Sequence, residues 1–286
     1  MELVVIISLV IGILLLNRPV TLLVQRLYTR HQFKRFIAQE TFYHTVIARY
    51  FNYYNRLGLE EQRKFLFRTY LFQHSKNFHY IEVEETAEMP ILVSAAAIQL
   101  TFGLERFKLN YFDDIFILRD DYHYGFYSRP FMGHVDQTGI YLSWDNFIKG
   151  ISGQTPNCNV GVHEMAHALA YVNFVTQTEE DKHFKKEFPN FSKVARPIFT
   201  AMQQGDGRAK NLLGDYAATN YHEFWAVAVE VFFESSVPFR HELPELYEAM
   251  ACVLNQDPLN FIEGNTTIMR RTPESSKKTS GVALAR

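Results

Sequence analysis

The chain has 286 residues, 47% of them hydrophobic, enough for one large catalytic domain or two small ones around a sizeable core. The net charge of −2, with no basic face standing out over the chain as a whole, argues against nucleic-acid binding. Its two cysteines, Cys158 and Cys252, lie far apart with no CxxC spacing, so neither a disulfide framework nor a thiolate metal site is indicated, and a reducing compartment is favoured.

At the amino terminus, Leu3 to Leu16 is an uncharged run, LVVIISLVIGILLL, followed past Asn17-Arg18-Pro19 by the apolar patch Val20 to Val24. The strict run is shorter than the roughly 20 residues that cross a bilayer, but its flanks extend it, with Arg18 snorkelling. The start Met1-Glu2 and the lack of an A-x-A site argue against a cleaved secretory signal. Arg18, Arg26, Arg30, Lys34 and Arg35 follow the run and, by the positive-inside tendency, place the bulk of the chain in the cytoplasm. Residues 1–30 are therefore expected to form a hydrophobic membrane anchor; the alternative is a buried helix on a soluble cytoplasmic protein.

From His31 to about His79 the spacing of aromatic and aliphatic residues predicts two helices, broken at Leu57-Gly58-Leu59, the second led by Glu60-Glu61. Glu85 to Phe102 reads as a further helix closed by Gly103. Asp114 to Leu118, Tyr124 to Tyr127 and Gly139 to Leu142 read as short strands of a small sheet packed on helices. Ser143 is placed as the N-cap of a helix to about Gly150, and Ser152 to Asn157 as a loop. Glu179 to Gln204 is one long helix or two joined near Arg196-Pro197, because proline disfavours helix in the residue before it. A turn at Gly205-Asp206-Gly207, a helix from Pro244 to Leu254 and a short one near Leu259 to Ile262 follow. From Gly264 the composition turns to Ser, Thr, Lys and Arg, which predicts a disordered tail over 264–286. The fold class expected is α+β, mostly helical with a small mixed sheet. The anchor would precede one domain over 31–263, its front part 31–104 helical and its remainder, 105–263, carrying the sheet and the site helices.

Between loop and long helix lies VGVHEMAHALA, which contains His-Glu-x-x-His among good helix formers. Residues four apart share a helix face, so His163 and His167 can aim both imidazoles at one Zn²⁺. Glu164 can then reach a water in the open metal position and take its proton. The apolar flanks Val160, Val162, Met165, Ala166, Ala168 and Leu169 bury this helix. The bland reading, a core helix with satisfied polar groups, is disfavoured by a cost of roughly 1–3 kcal/mol per unpaired buried group.

A catalytic zinc needs a third protein ligand. The extended motif HExxHxxGxxH is excluded, because Ala170 and Asn173 occupy its last two positions. The other route is a glutamate from a later helix, and Asp215 to Glu234, DYAATNYHEFWAVAVEVFFE, offers Glu223 and Glu230 seven apart on one face. Zinc is the cation that would meet Glu223 on an otherwise apolar helix. Glu230 can accept a hydrogen bond from the distal nitrogen of His163 or His167, or be a plain solvated glutamate. His222 is the rival ligand, about 100° away on an ideal helix.

Four segments in order, ILVSAAAIQLTFGL, GIYLSWDNF, NVGVHEMAHAL and DYAATNYHEFWAVAVEVFFE, resemble the Mlc titration factor A family of zinc-dependent peptidases, of gluzincin type. The resemblance covers roughly residues 60 to 260 and leaves the apolar start and polar tail outside. It implies zinc held by His163, His167 and Glu223, with Glu164 as general base. It further implies a tyrosine seven residues before the glutamate ligand, the place of Tyr216, whose phenol could donate to an oxyanion; a core tyrosine is the alternative. The strand Gly139 to Leu142, taken as an edge, would hold a substrate backbone by strand addition. One departure is Ala170, where the family tends to carry an aspartate, which puts an outer carboxylate in doubt.

The function expected is a zinc metallopeptidase acting on a peptide or protein substrate. The rival is a non-catalytic protein that sequesters a regulatory partner, because the resemblance also implies a family member that titrates a transcriptional repressor.

Overall fold

The computed structural model describes residues 23, 26–123, 130–154, 158–176, 180–205 and 207–260. The anchor expected over the first 30 residues falls almost wholly outside that set, as do the strand Tyr124 to Tyr127 and the polar tail. Among the described residues no helix is long and apolar enough to cross a membrane.

Residues 26–37 are helical and lead into α1 (Glu40–Tyr50), the short α2 (Asn52–Asn55) and α3 (Leu59–Gln73). The break at Gly58 falls where the sequence put it, and Glu60 and Glu61 sit in the first turn of α3. A second break at Phe51 was not anticipated. The helical reading to His79 runs too far: Asn77–Ile81 is β1, drawn out of the helix by five-residue parallel pairing to β2 (Asp114–Leu118). Between them α4 (Met89–Thr101) starts four residues later than expected, at a Pro in its first turn. Every residue of α4 is buried, and its hydroxyls turn back on their own helix, Ser94 to the carbonyl of Pro90 and Thr101 to that of Ala97.

The sheet is mixed, in the order β1-β2-β4-β3, with β3 (Gly133–Asp136) antiparallel to β4 (Gly139–Ser143) and the other pairs parallel. This corrects the expectation for Gly139 to Leu142: β4 is an inner strand, and among the described strands β3 stands beyond it at the end of the order. One face, with Ile115, Ile117, Ile140 and Leu142 fully buried, lies against the helices. On the other face one ring per strand stacks on the next: His79 on Phe116 at 4.7 Å, Phe116 on Tyr141 at 4.4 Å, and Tyr141 on His134 at 4.2 Å. Such cross-strand pairs fix register as well as adding contact.

Ser143 precedes α5 (Trp144–Ile151) but makes no capping bond; its hydroxyl instead accepts from the Asn146 amide at 2.8 Å. α6 (Val160–Phe174) carries the His-Glu-x-x-His run. The proline argument for two helices beyond it fails, because α7 (Lys182–Gln203) is a single helix with Pro189 and Pro197 inside it. α8 (Gly207–Leu213), a 3₁₀ turn at Tyr216–Ala218, α9 (Tyr221–Glu234), α10 (Ser236–Glu242) and α11 (Pro244–Leu254) complete the order. Residues 258–260 form a turn and no helix, and residues 261–262 lie outside the described set. One continuous buried cluster runs from Phe36 to Leu254, with α4 and α6 at its centre.

Candidate metal centre

Two helices build the site, and each is started by an asparagine. The Asn159 side chain accepts from the Val162 amide at the head of α6, and Asn220 accepts from His222 and Glu223 at the head of α9. Their crossing is locked by Trp225, whose indole N–H donates to the Ala166 carbonyl at 2.9 Å. Against α5 the approach is so close that a Cβ on Gly161 would stand 2.3 Å from the Phe147 ring. A methyl there would force α6 away from its seat.

On this frame His163 Nε2 lies 3.1 Å from His167 Nε2 and 3.1 Å from Glu223 Oε2, which is 3.3 Å from His167 Nε2. His163, His167 and Glu223 thus form a group able to hold a metal ion, their ligand atoms all within 4.8 Å of one another. Three atoms tetrahedrally placed at about 2.0–2.1 Å from a shared cation stand roughly 3.3 Å apart, so the donor set fits a small divalent ion. The side chains are largely buried, 12%, 19% and 18% exposed in the order named. His222, the rival ligand, is exposed and stands outside the group.

Glu230 is buried, so the solvated reading falls. One of its oxygens meets His163 Nδ1 and the other accepts the Asn159 backbone N–H at 2.8 Å. Asn159 in turn donates from its side chain to Glu234 at 2.8 Å. With Nδ1 donating to Glu230, the His163 lone pair is directed to Nε2, the atom facing His167 and Glu223. Ala170 supplies no carboxylate, but α9 supplies this one. The Asn159 hub was missed in the sequence, although Asn directly ahead of an apolar helical run is a capping signal.

The charges are tightly coupled. Burial opposes a charged His163 ring, yet its bonds to Glu223 and Glu230 outweigh that and raise its pKa well above the usual value. Burial likewise opposes ionisation of Glu223, but hydrogen bonds from His163 and His167 hold its carboxyl well below the usual range. Glu164 differs: burial pushes its carboxyl up to about 8, His163 opposes the rise, and Glu223 and Glu230 add to it. Its Oε2 is buried and finds no hydrogen-bond partner among the described residues. Above it β3 passes so closely that a Cβ on Gly133 would stand 2.6 Å from the Glu164 side chain. Only glycine lets the strand and the carboxylate share that space.

Tyr216, on the 3₁₀ turn ahead of α9, is 57% exposed, so it is not a core tyrosine. Its ring centre lies 6.1 Å from that of His163. Partial burial, then the charge of Glu223 and a hydrogen bond to it, raise the phenol pKa and keep the hydroxyl protonated. The arrangement offers a cation site, a carboxylate with a free buried oxygen, and a phenol at the rim.

Residues 26–254 match the family model described as glucose-regulated metallo-peptidase M90. The chain is also 23% identical over 226 residues to an uncharacterized protein, slr2042, of Synechocystis sp. (strain ATCC 27184 / PCC 6803 / Kazusa), covering 72% of this chain and 81% of that protein.

Proposed function

Because this chain belongs to the glucose-regulated metallo-peptidase M90 family, which is the Mlc titration factor A family, we propose that it is a zinc-dependent peptidase using His163, His167 and Glu223 as ligands. The observation that carries the reading is the convergence of three ligand atoms beside a buried carboxylate, Glu164, whose Oε2 has no hydrogen-bond partner among the described residues. Bound zinc supplies a Lewis acid that polarises the scissile carbonyl and lowers the pKa of a water to about 7.

The rest falls to the chain's own groups. The charge of a bound cation beside Glu164 would lower its raised carboxyl pKa, so that the carboxylate can accept the proton of the attacking water and pass it to the leaving amine nitrogen. Tyr216 donates its hydroxyl hydrogen to the oxyanion that develops on the former carbonyl oxygen. The raised phenol pKa suits a donor, since the proton must stay on it. Glu230 holds the His163 ring in the tautomer that leaves Nε2 free for the metal. The substrate backbone adds to the edge of β3, which brings a peptide bond past Gly133 and over Glu164.

The test is metal analysis of purified wild type beside Glu223→Ala, with turnover measured on a peptide library. Wild type should carry close to one zinc and cleave, and Glu223→Ala should lose both. Retained zinc in the variant would refute Glu223 as a ligand. A zinc-loaded wild type that cleaves nothing yet binds a regulatory protein would replace the peptidase reading with the sequestering one.

A further inference from the structure

The helical segment 26–37 has two unlike sides. Gln32 and Phe36 are buried, with Phe36 against Tyr43, Phe67 and Tyr70, and the Tyr70 hydroxyl donating to Gln32. Phe33 adds an edge contact to Phe67 at 5.2 Å. At about 100° per residue, Leu27, Arg30, Lys34 and Ile37 fall on the side opposite Gln32 and Phe36, and Arg26 falls beside them. Leu27 is 56% exposed and Ile37 48%, and Arg26, Arg30 and Lys34 are exposed as well. Leu23, also helical, is 57% exposed.

From Leu3 to Gln39 the chain has no acidic residue, while Arg18, Arg26, Arg30, Lys34 and Arg35 are all basic. The next acid, Glu40, is paired with Arg63 of α3 at 3.1 Å. The outward side is thus cationic and set with aliphatic side chains, and further up the sequence, beyond Asn17 to Gln25, lies the uncharged run LVVIISLVIGILLL. Basic and aliphatic side chains sharing one side of a helix are the composition of a helix that lies in a lipid interface. Lipid headgroups accommodate both, because the aliphatic groups enter the acyl boundary while the long basic side chains reach the phosphates.

We propose that the outer side of residues 26–37 docks on an anionic lipid bilayer, holding the domain against the membrane surface through Arg26, Arg30, Lys34, Leu27 and Ile37. The inner side ties this helix to the core through Phe36, so docking fixes the domain itself. The inference stands apart from the peptidase reading, since none of these residues belongs to the metal centre.

The experiment is co-sedimentation of the full-length chain with vesicles of phosphatidylcholine alone and of phosphatidylcholine mixed with phosphatidylglycerol. Wild type should partition more strongly onto the anionic vesicles, and added salt should erase the difference. In Arg26→Glu/Arg30→Glu/Lys34→Glu, partition onto anionic vesicles should fall at least about a hundredfold, at roughly 1 kcal/mol per basic residue removed. Its partition onto neutral vesicles, its circular dichroism and its zinc content should stay at wild-type values. Equal partition of wild type onto both vesicles would overturn the proposal. So would an unchanged triple variant, or a dimer in light scattering that the triple variant abolishes, which would give this side to a second copy.

Discussion

The floor and the mouth of the metal centre hold their carboxylates in opposite ways. On the floor, both Glu230 oxygens are engaged, one by His163 and one by the Asn159 backbone, and Asn159 is itself tied to Val162 and Glu234. At the mouth, Glu164 is equally buried but its Oε2 has no partner among the described residues, and Tyr216 stands more than half exposed. A fully bonded buried group fixes geometry, whereas an unbonded one costs stability that only a task elsewhere offsets. On the proposed function, the difference separates groups that hold the site from groups that would act in it.

Four substitutions put this division at risk. Glu164→Gln, which keeps shape and removes the proposed base, should lower turnover by about a hundredfold to ten-thousandfold while zinc content stays unchanged; parallel kinetics and metal analysis read it. Loss of zinc in that variant would move Glu164 to the floor. Tyr216→Phe should cost about a hundredfold in kcat with little change in KM, the pattern of a donor used chiefly in the transition state. Its melting temperature should match wild type, since the side chain is exposed. On the floor, Glu230→Gln should weaken zinc binding by roughly ten- to a hundredfold, measured by competition with a chelator, and turnover should recover when zinc is added in excess. Smallest is Asn159→Ala, which removes the α6 cap and should destabilise the fold by about 1 kcal/mol in denaturant unfolding. A mouth variant that empties the metal, or a floor variant that keeps its metal and loses turnover, would break the distinction.

The neighbourhood of the candidate metal centre was legible because both segments that build it are helices, where four- and seven-residue spacings decide which side chains share a face. That arithmetic paired His163 with His167 and put Glu223 and Glu230 on one face, with His222 left as a rival; the choice of Glu223 came from the family resemblance. β1 and β3 were not legible. Asn77–Ile81 continues an aromatic run that reads as helix, and Gly133–Asp136, GHVD, has one β-branched residue to mark it as a strand. Both are made by a partner strand, β1 by β2 and β3 by β4, and pairing between distant segments leaves no periodicity in either alone. The same ignorance turned β4 into an edge. Prolines mislead in the other direction: Pro189 and Pro197 stay inside α7, where packing of Phe184, Phe191, Ala195 and Met202 into the core outweighs their local cost.

By itself the sequence determined the two metal-centre helices, the acids and imidazoles they carry and the apolar sides that bury them, since helical geometry is local and repeats every few residues. Only the tertiary structure decided that Glu230 turns to His163 while Glu164 Oε2 meets no partner among the described residues, and that β3 passes over that carboxylate. Those facts depend on how closely segments far apart in the chain approach, a distance set by packing.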